Sequence, residues 1–161
     1  MISTTDEVFL LPPEEGPEAY YGAGFLDEVR DRRRAGASVI ELVDLLCSAD
    51  LRPILDDPKR HVPYYVNLLT ADAQSARAVS EGARVYDRYN ERLLQEILTD
   101  TPLSGNEDAQ RLLRIAFAMN SHGTLIEALK GEDPGLLLEA SRLLRRAVLE
   151  LLLTDGQNGN V

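Results

Sequence analysis

The sequence predicts an all-α protein built as a multi-helix bundle. Its 161 residues are 44% hydrophobic but only 6% aromatic, and they include no Trp, so the apolar residues are mostly Leu, Ala and Val, which suit helix packing better than aromatic strands. Apolar residues also recur at helical spacing over long stretches. A chain of this length fits one domain, which typically buries about 70% of the surface exposed in the unfolded chain.

Charge and cysteine content narrow the classes of function. The net charge of −10 repels phosphate backbones, and Lys and Arg are mostly interleaved with acidic residues, so we expect no direct nucleic-acid binding. Cys47 is the single cysteine, no secretory segment opens the chain, and no apolar run approaches the roughly 18 residues that span a bilayer. We therefore expect a cytoplasmic protein without a membrane segment.

The first part of the chain is predicted to be an arm followed by a helix. Residues 1–16 are rich in acidic residues and Pro and are expected to form a flexible acidic arm. Pro17 suits the first position of a helix over residues 18–34, because its missing N–H needs no partner there. Gly22 and Gly24 weaken that helix.

A second helix is predicted to begin at Val39. Ser38 and Glu41 have the spacing of a capping box, in which each side chain accepts a hydrogen bond from a backbone N–H at the helix start. Pro53 interrupts the following apolar stretch, so a kink or a new start is expected near Ser48.

The second half of the chain is predicted to hold four further helices, at residues 64–70, 73–98, 108–129 and 134–153. Residues 99–106 are rich in turn-forming residues and are expected to form a loop. Asp133 and Pro134 are the predicted N-cap and first residue of the last helix. Residues 155–161 are expected to be a disordered tail, so the single helical domain spans residues 17–154.

Tyrosines and a polar run suggest a small-molecule pocket. Tyrosine combines an apolar ring with a hydroxyl, and Phe117 and Met119 offer adaptable apolar walls, although core tyrosines that bond to backbone carbonyls are an alternative interpretation. The run 120–124 is polar within an apolar helix and needs partners from a ligand, a second subunit or solvent. Asn120 and Thr124 share one helical face that His122 does not. The predicted ligand-binding residues are Tyr65, Tyr86, Tyr89, Phe117, Asn120 and His122.

No motif predicts catalysis, a metal site or a cofactor. His61 and His122 are isolated, and no metalloprotease, nucleophile-elbow, paired-cysteine or phosphate-loop pattern is present. The basic cluster at residues 30–34 is interpreted as a solvated helix end rather than as a site for an acidic partner. Positive side chains near the C-terminus of a helix interact favourably with the helix dipole. An enzyme is therefore the less favoured class.

The last helix has an unusually wide apolar face. Its apolar residues include Leu136, Leu143, Leu144 and Leu151, which is more than contact with one neighbouring helix requires. We expect part of this face to meet a second copy of the chain, the alternative being a helix buried within one subunit. Ala116, Ala118 and Gly123 on the preceding helix also permit close helix approach.

The order of the helices resembles that of a known family. A helix ending in LDDP, a helix entering LLTAD, the long helix AVSEGARVYDRYNERLLQEIL and a final pair joined by KGEDPG resemble the ligand-sensing domain of tetracycline-repressor (TetR) family regulators, over roughly residues 37–153. The resemblance implies a homodimer formed by residues 108–129 and 134–153, with a small apolar molecule among the preceding helices.

The chain departs from this family where the DNA-reading helices belong. The family's helix-turn-helix pattern, of the type IA..AGVS..T.Y.HF, is absent, and the acidic arm precedes the helical region instead. Met1 ahead of the arm favours natural absence over removal. We therefore expect a TetR-like sensing or regulatory domain that does not bind DNA itself. The alternatives are a helical enzyme that shapes a small apolar substrate in the same cavity, and an interaction module that forms heterodimers with a full-length regulator.

Overall fold

The computed structural model describes the backbone of residues 16–70 and 73–157, and their side chains apart from those of 67–69, 73–80 and 157. These residues are almost entirely helical and contain no strand, which confirms the all-α prediction. The helices are α1 (Gly16–Tyr21), α2 (Phe25–Arg34), α3 (Val39–Asp56), α4 (Val62–Thr70), α5 (Ala73–Ile97), α6 (Glu107–Leu129) and α7 (Pro134–Gln157), with a 3₁₀ helix, Pro58–His61, between α3 and α4. The predicted arm up to residue 15 and the last four residues of the tail lie outside the described residues.

Two glycines divide the predicted first helix. Gly22 and Gly24 have φ angles of 98° and 79°, in the left-handed region that glycine adopts without steric cost. The prediction of one continuous helix over residues 18–34 is therefore wrong, and α1 and α2 are separate. The break turns α1 so that Tyr20 and Tyr21 contact α3 and α5.

Helix α3 confirms the predicted cap and contains no new start near Ser48. Ser38 Oγ accepts from the backbone N–H of Glu41, and the Glu41 carboxylate accepts from that of Ser38 at 2.7 Å. The helix continues through Ser48, whose hydroxyl donates to the Asp44 carbonyl at 3.0 Å. Pro53 removes one helical N–H in the last turn, and the helix nevertheless runs on to Asp56.

Helices α6 and α7 form an antiparallel hairpin. Asn106 caps α6 by accepting from the N–H of Ala109, and Asp133 caps α7 by accepting from that of Leu136, as predicted for Asp133. Helix α7 continues to Gln157 instead of ending at Leu153. The predicted loop before α6 forms successive turns and buries Leu103 completely.

The main core lies where α2, α3, α5, α6 and α7 meet. Each of the five helices contributes a side chain that is at most 1% exposed: Val29, Leu42, Leu93, Leu113 and Leu149. A smaller cluster joins Cys47, Leu51 and Ile54 of α3 to Leu125 of α6. The space between these clusters is not filled and forms the cavity described below.

No helix among the described residues combines the length and the apolar character that crossing a membrane requires.

Candidate ligand-binding site

A cavity of about 160 Å³ lies among α1, α3, the 3₁₀ helix, α4, α5 and α6, and α7 reaches it through one side chain. Eight of its eighteen lining residues carry aromatic rings: Tyr20, Tyr21, Tyr64, Tyr65, Tyr86, Phe117, His61 and His122. Aliphatic residues fill the gaps between the rings, and a small number of charged and amide side chains converge on the same space. A largely apolar wall with a few convergent polar groups is typical of small-molecule sites.

Asp50 of α3 is the central hydrogen-bond acceptor of the site. Its Oδ2 accepts from Arg145 Nη2 and from Ser121 Oγ, both at 2.6 Å. Its Oδ1 accepts from the Tyr21 hydroxyl at 3.0 Å, and its backbone carbonyl accepts from the Tyr20 hydroxyl at 2.8 Å. Asp50 thus joins α1, α3, α6 and α7 at one point.

Among the described residues of α7, only Arg145 lines the cavity, and its side chain is 1% exposed. Besides Asp50, it donates from Nε to Asn120 Oδ1 at 2.8 Å, and its guanidinium carbon lies 4.8 Å from the centre of the Phe117 ring. Ser141 accepts from Asn120 at 3.2 Å and bonds to Thr124 at 3.0 Å, which continues the network between α6 and α7. A buried arginine is tolerated only because it is paired and hydrogen-bonded in this way.

A second ion pair lies at the α5 side of the cavity. Arg114 Nη1 is 3.0 Å from Asp87 Oδ1, and Arg114 Nε is 3.5 Å from Glu91 Oε1. Each cationic side chain in the wall therefore has an acidic partner. In the part of the chain that is described, no three His, Cys, Asp or Glu side chains are grouped so as to hold a metal ion.

The rings of the wall meet edge to face. Tyr20 and Tyr86 have centroids 6.0 Å apart, Tyr64 and Tyr65 5.2 Å, and Tyr65 and His122 4.9 Å, with interplanar angles of 83–84°. This is the arrangement that the charge distribution of aromatic rings favours. It also leaves ring faces and edges directed at the enclosed space.

Burial fixes the protonation of the polar rings. Desolvation, with a smaller effect of Asp50, raises the pKa of Tyr20 and of Tyr21 far above the usual value, and desolvation similarly raises the pKa of Tyr65. Desolvation lowers the pKa of His61 and of His122. At neutral pH the tyrosines are therefore hydroxyl donors and the imidazoles are uncharged.

Three polar groups of the wall are open to a ligand. The Tyr64 and Tyr65 hydroxyls and the His122 imidazole make no hydrogen bond to any residue that the structure describes, whereas His61 Nε2 lies 3.0 Å from the Pro53 carbonyl. His122 is an exposed residue, which places it at the edge of the cavity. Each of these three groups can both donate and accept a hydrogen bond.

The structure places four of the predicted ligand-binding residues in the wall and two elsewhere. Tyr65, Tyr86, Phe117 and His122 line the cavity. Tyr89 is buried against Tyr21, with ring centroids 5.4 Å apart, and Asn120 is used by Arg145 and Ser141. Met119, considered as a wall residue, is 68% exposed on the opposite face of α6.

The sequence prediction missed the centre of the site. Tyr20, Asp50, His61, Ser121 and Arg145 all line the cavity. A signal for the ion pair was present, since both charged residues occupy positions where the helical spacing of each segment predicts a core side chain. The basic residues at 30–34 were also more than a solvated helix end, because two of them bind Glu96 of α5.

Comparisons of this chain with protein-family models, with curated proteins and with solved structures found no match.

Proposed function

We propose that this protein is a small-molecule-binding regulatory domain that acts as a homodimer and holds its ligand in the tyrosine-lined cavity. The observation that supports this most is a partly open cavity whose charged side chains are paired while the Tyr64, Tyr65 and His122 polar groups have no described partner. Tyr64 and Tyr65 are half-buried and His122 is exposed at the edge of the cavity. Their polar groups therefore remain available to bond to a ligand.

The size of the cavity supports a small ligand. Its volume of about 160 Å³ is below the several hundred Å³ of typical drug-sized sites. It is close to the roughly 150 Å³ of an engineered apolar cavity that binds benzene. The space is therefore large enough for one ring or a short chain.

Exposed apolar residues on α6 support the homodimer. Leu112, Ile115, Met119 and Ile126 are 40–68% exposed and follow one another at helical spacing, with Gly123 between the last two. They lie opposite the buried face that includes Leu113 and Phe117. Continuous apolar stripes of this kind are typical of helices that pair with a partner.

Helix α7 carries a matching stripe. Leu136, Leu143, Leu144 and Leu151 are 57–67% exposed, and Ala140 and Ala147 occupy the same face. The residues that bind the network and the core, Ser141, Arg145 and Leu149, point the other way. Two adjacent antiparallel helices with outward apolar stripes suit a four-helix interface with a second copy.

Helix α6 contributes residues both to the cavity wall and to the exposed apolar stripe. Phe117, Ala118 and Ser121 face the cavity, while Met119 is directed outward. A ligand that alters the packing of α6 or the position of Arg145 therefore acts on the same two helices that form the proposed interface. This arrangement supports a regulatory role over simple storage of a ligand.

Native mass spectrometry of the full chain isolated from its own cells tests the proposal. We expect a dimer with a retained small molecule, and a rise in melting temperature when that molecule is added to stripped protein, since a ligand of the folded state stabilises it. Ala118→Leu places extra methyl groups in the cavity and is expected to abolish the rise. Ala128→Leu, on the same helix but outside the cavity, is the matched control.

Ligand retention by Ala118→Leu equal to that of Ala128→Leu would show that the cavity is not the binding site. Ligand binding would be contradicted altogether if the isolated protein retains no small molecule and no member of a fragment collection binds to it.

A further inference from the structure

We infer that the ligand of this cavity is a neutral single-ring phenol whose hydroxyl group bonds to both Tyr65 and His122. This inference rests on the proposed function and adds the chemical class of the ligand. Four properties of the wall lead to it: volume, ring geometry, charge balance and the position of the open polar groups.

Volume and ring geometry select one planar ring. A space of about 160 Å³ matches a benzene-sized molecule. The perpendicular pairs Tyr20–Tyr86 and Tyr64–Tyr65 already pack edge to face, so an aromatic guest continues the same packing. Aromatic contacts of this kind add affinity beyond the burial of area.

The charge balance selects a ligand without net charge. Asp50 is neutralised by Arg145 at 2.6 Å, and Arg114 is neutralised by Asp87 at 3.0 Å. An anionic ring acid brings a second negative charge toward Asp50, and a cationic amine brings a second positive charge toward Arg145. An unpaired ion in a desolvated site is costly, so both classes are disfavoured.

The open polar groups select a hydroxyl substituent. The Tyr65 and His122 rings adjoin each other, with centroids 4.9 Å apart, and neither has a hydrogen-bond partner among the described residues. The Tyr65 hydroxyl is a donor and the uncharged His122 imidazole has an acceptor nitrogen. A phenol satisfies both, because its oxygen accepts from Tyr65 while its O–H donates to the imidazole.

Titration of the full-length dimer with four probes tests this inference by ligand-observed NMR. Compared with phenol, toluene replaces the hydroxyl by a methyl group, cyclohexanol keeps the hydroxyl but loses the planar ring, and benzoate replaces the hydroxyl by an anionic carboxylate. We expect phenol to bind about five- to tenfold more tightly than toluene, the range that one or two net hydrogen bonds supply. We expect benzoate and cyclohexanol to bind more weakly than phenol.

Tyr65→Phe separates the hydrogen bond from the ring. In this variant the preference for phenol over toluene is expected to fall severalfold while toluene affinity stays within about twofold, which also shows that the cavity survives. Tyr89→Phe removes a tyrosine hydroxyl outside the cavity wall and is expected to keep the preference.

Equal affinity for phenol and toluene, or an unchanged preference in Tyr65→Phe, overturns the inference. If a molecule of another class is retained in the isolated protein and the phenol is not bound, the inference fails and the proposed function stands. If no probe and no cellular molecule binds, the proposed function fails with it.

Discussion

Arg145 and Asp50 place opposite charges at positions where helical spacing predicts apolar side chains. The arginine is 1% exposed and the aspartate side chain 16% exposed, so each depends on the other and on Ser121 and Asn120 for its hydrogen bonds. Replacement of both by apolar residues often costs a protein little. A structural role alone therefore does not require this pair to be charged.

We predict that Arg145→Met lowers the free energy of unfolding by about 3 kcal/mol or more, because it leaves the Asp50 carboxylate buried without its cation. Chemical denaturation monitored by circular dichroism measures the loss. The double variant Asp50→Asn/Arg145→Met removes both charges and is expected to recover part of it.

Arg146→Met is the matched control, since Arg146 pairs with Asp44 at a side chain that is 38% exposed, where an ion pair contributes about 1 kcal/mol or less. A loss in Arg145→Met no larger than in Arg146→Met would rule out the buried pair as a major stabilising contact.

At the level of single helices, the residues next to a helix end determine how the helix ends. Helix α2 ends in a Schellman motif, in which the N–H of Ala37 donates to the Arg32 carbonyl and that of Gly36 to the Arg33 carbonyl, both at 3.0 Å. Gly36 has a φ of 93°, which an L-residue adopts only with strain. The turn before α3 therefore depends on glycine at this position.

We predict that Gly36→Ala lowers the free energy of unfolding by about 1 kcal/mol, although nothing lies within 4 Å of the added Cβ, because the cost is in the backbone alone. Gly82→Ala is a control with the opposite expected sign. Gly82 lies inside α5, and nothing lies within 4 Å of a Cβ added there. Because alanine favours a helix more than glycine does, the free energy of unfolding is expected to rise by about 0.5–1 kcal/mol. Paired thermal melts measure the two changes, and the same sign for both contradicts the interpretation.

At the scale of the whole molecule, α6 and α7 separate an internal polar network from an exposed apolar surface. The network uses Asn120, Ser141 and Arg145, and the surface uses the outward stripes that end at Ile126 and Leu151. A large exposed apolar surface is unfavourable in water unless a partner covers it.

We predict that the wild-type chain is a dimer at micromolar concentration and that Met119→Glu/Leu144→Glu is a folded monomer, because both side chains are more than half exposed. Sedimentation velocity measures the subunit number. Val85→Glu changes an apolar residue that is 40% exposed on α5, away from the proposed interface, and is expected to remain dimeric. A monomeric wild type excludes the homodimer.

Sequence spacing predicted part of the site. The chemistry of Tyr65 and His122 predicts their place in the cavity wall, but Tyr89 has the same chemistry and packs against Tyr21 instead. Residue type cannot separate a tyrosine that faces a cavity from one that faces a neighbouring ring. The position of Tyr20 depends on the break at Gly22 and Gly24, which turns α1 toward α3 and which helical spacing alone does not predict.

The helical class, most helix boundaries and the caps at Ser38 and Asp133 follow from local sequence, because they depend on residues within about four positions of each other. Asp50 and Arg145 are 95 positions apart, and no local pattern predicts that they form one buried pair with a space beside them. A cavity is a property of how helices pack. Local spacing fixes which face of a helix is buried, and packing alone fixes what that face meets.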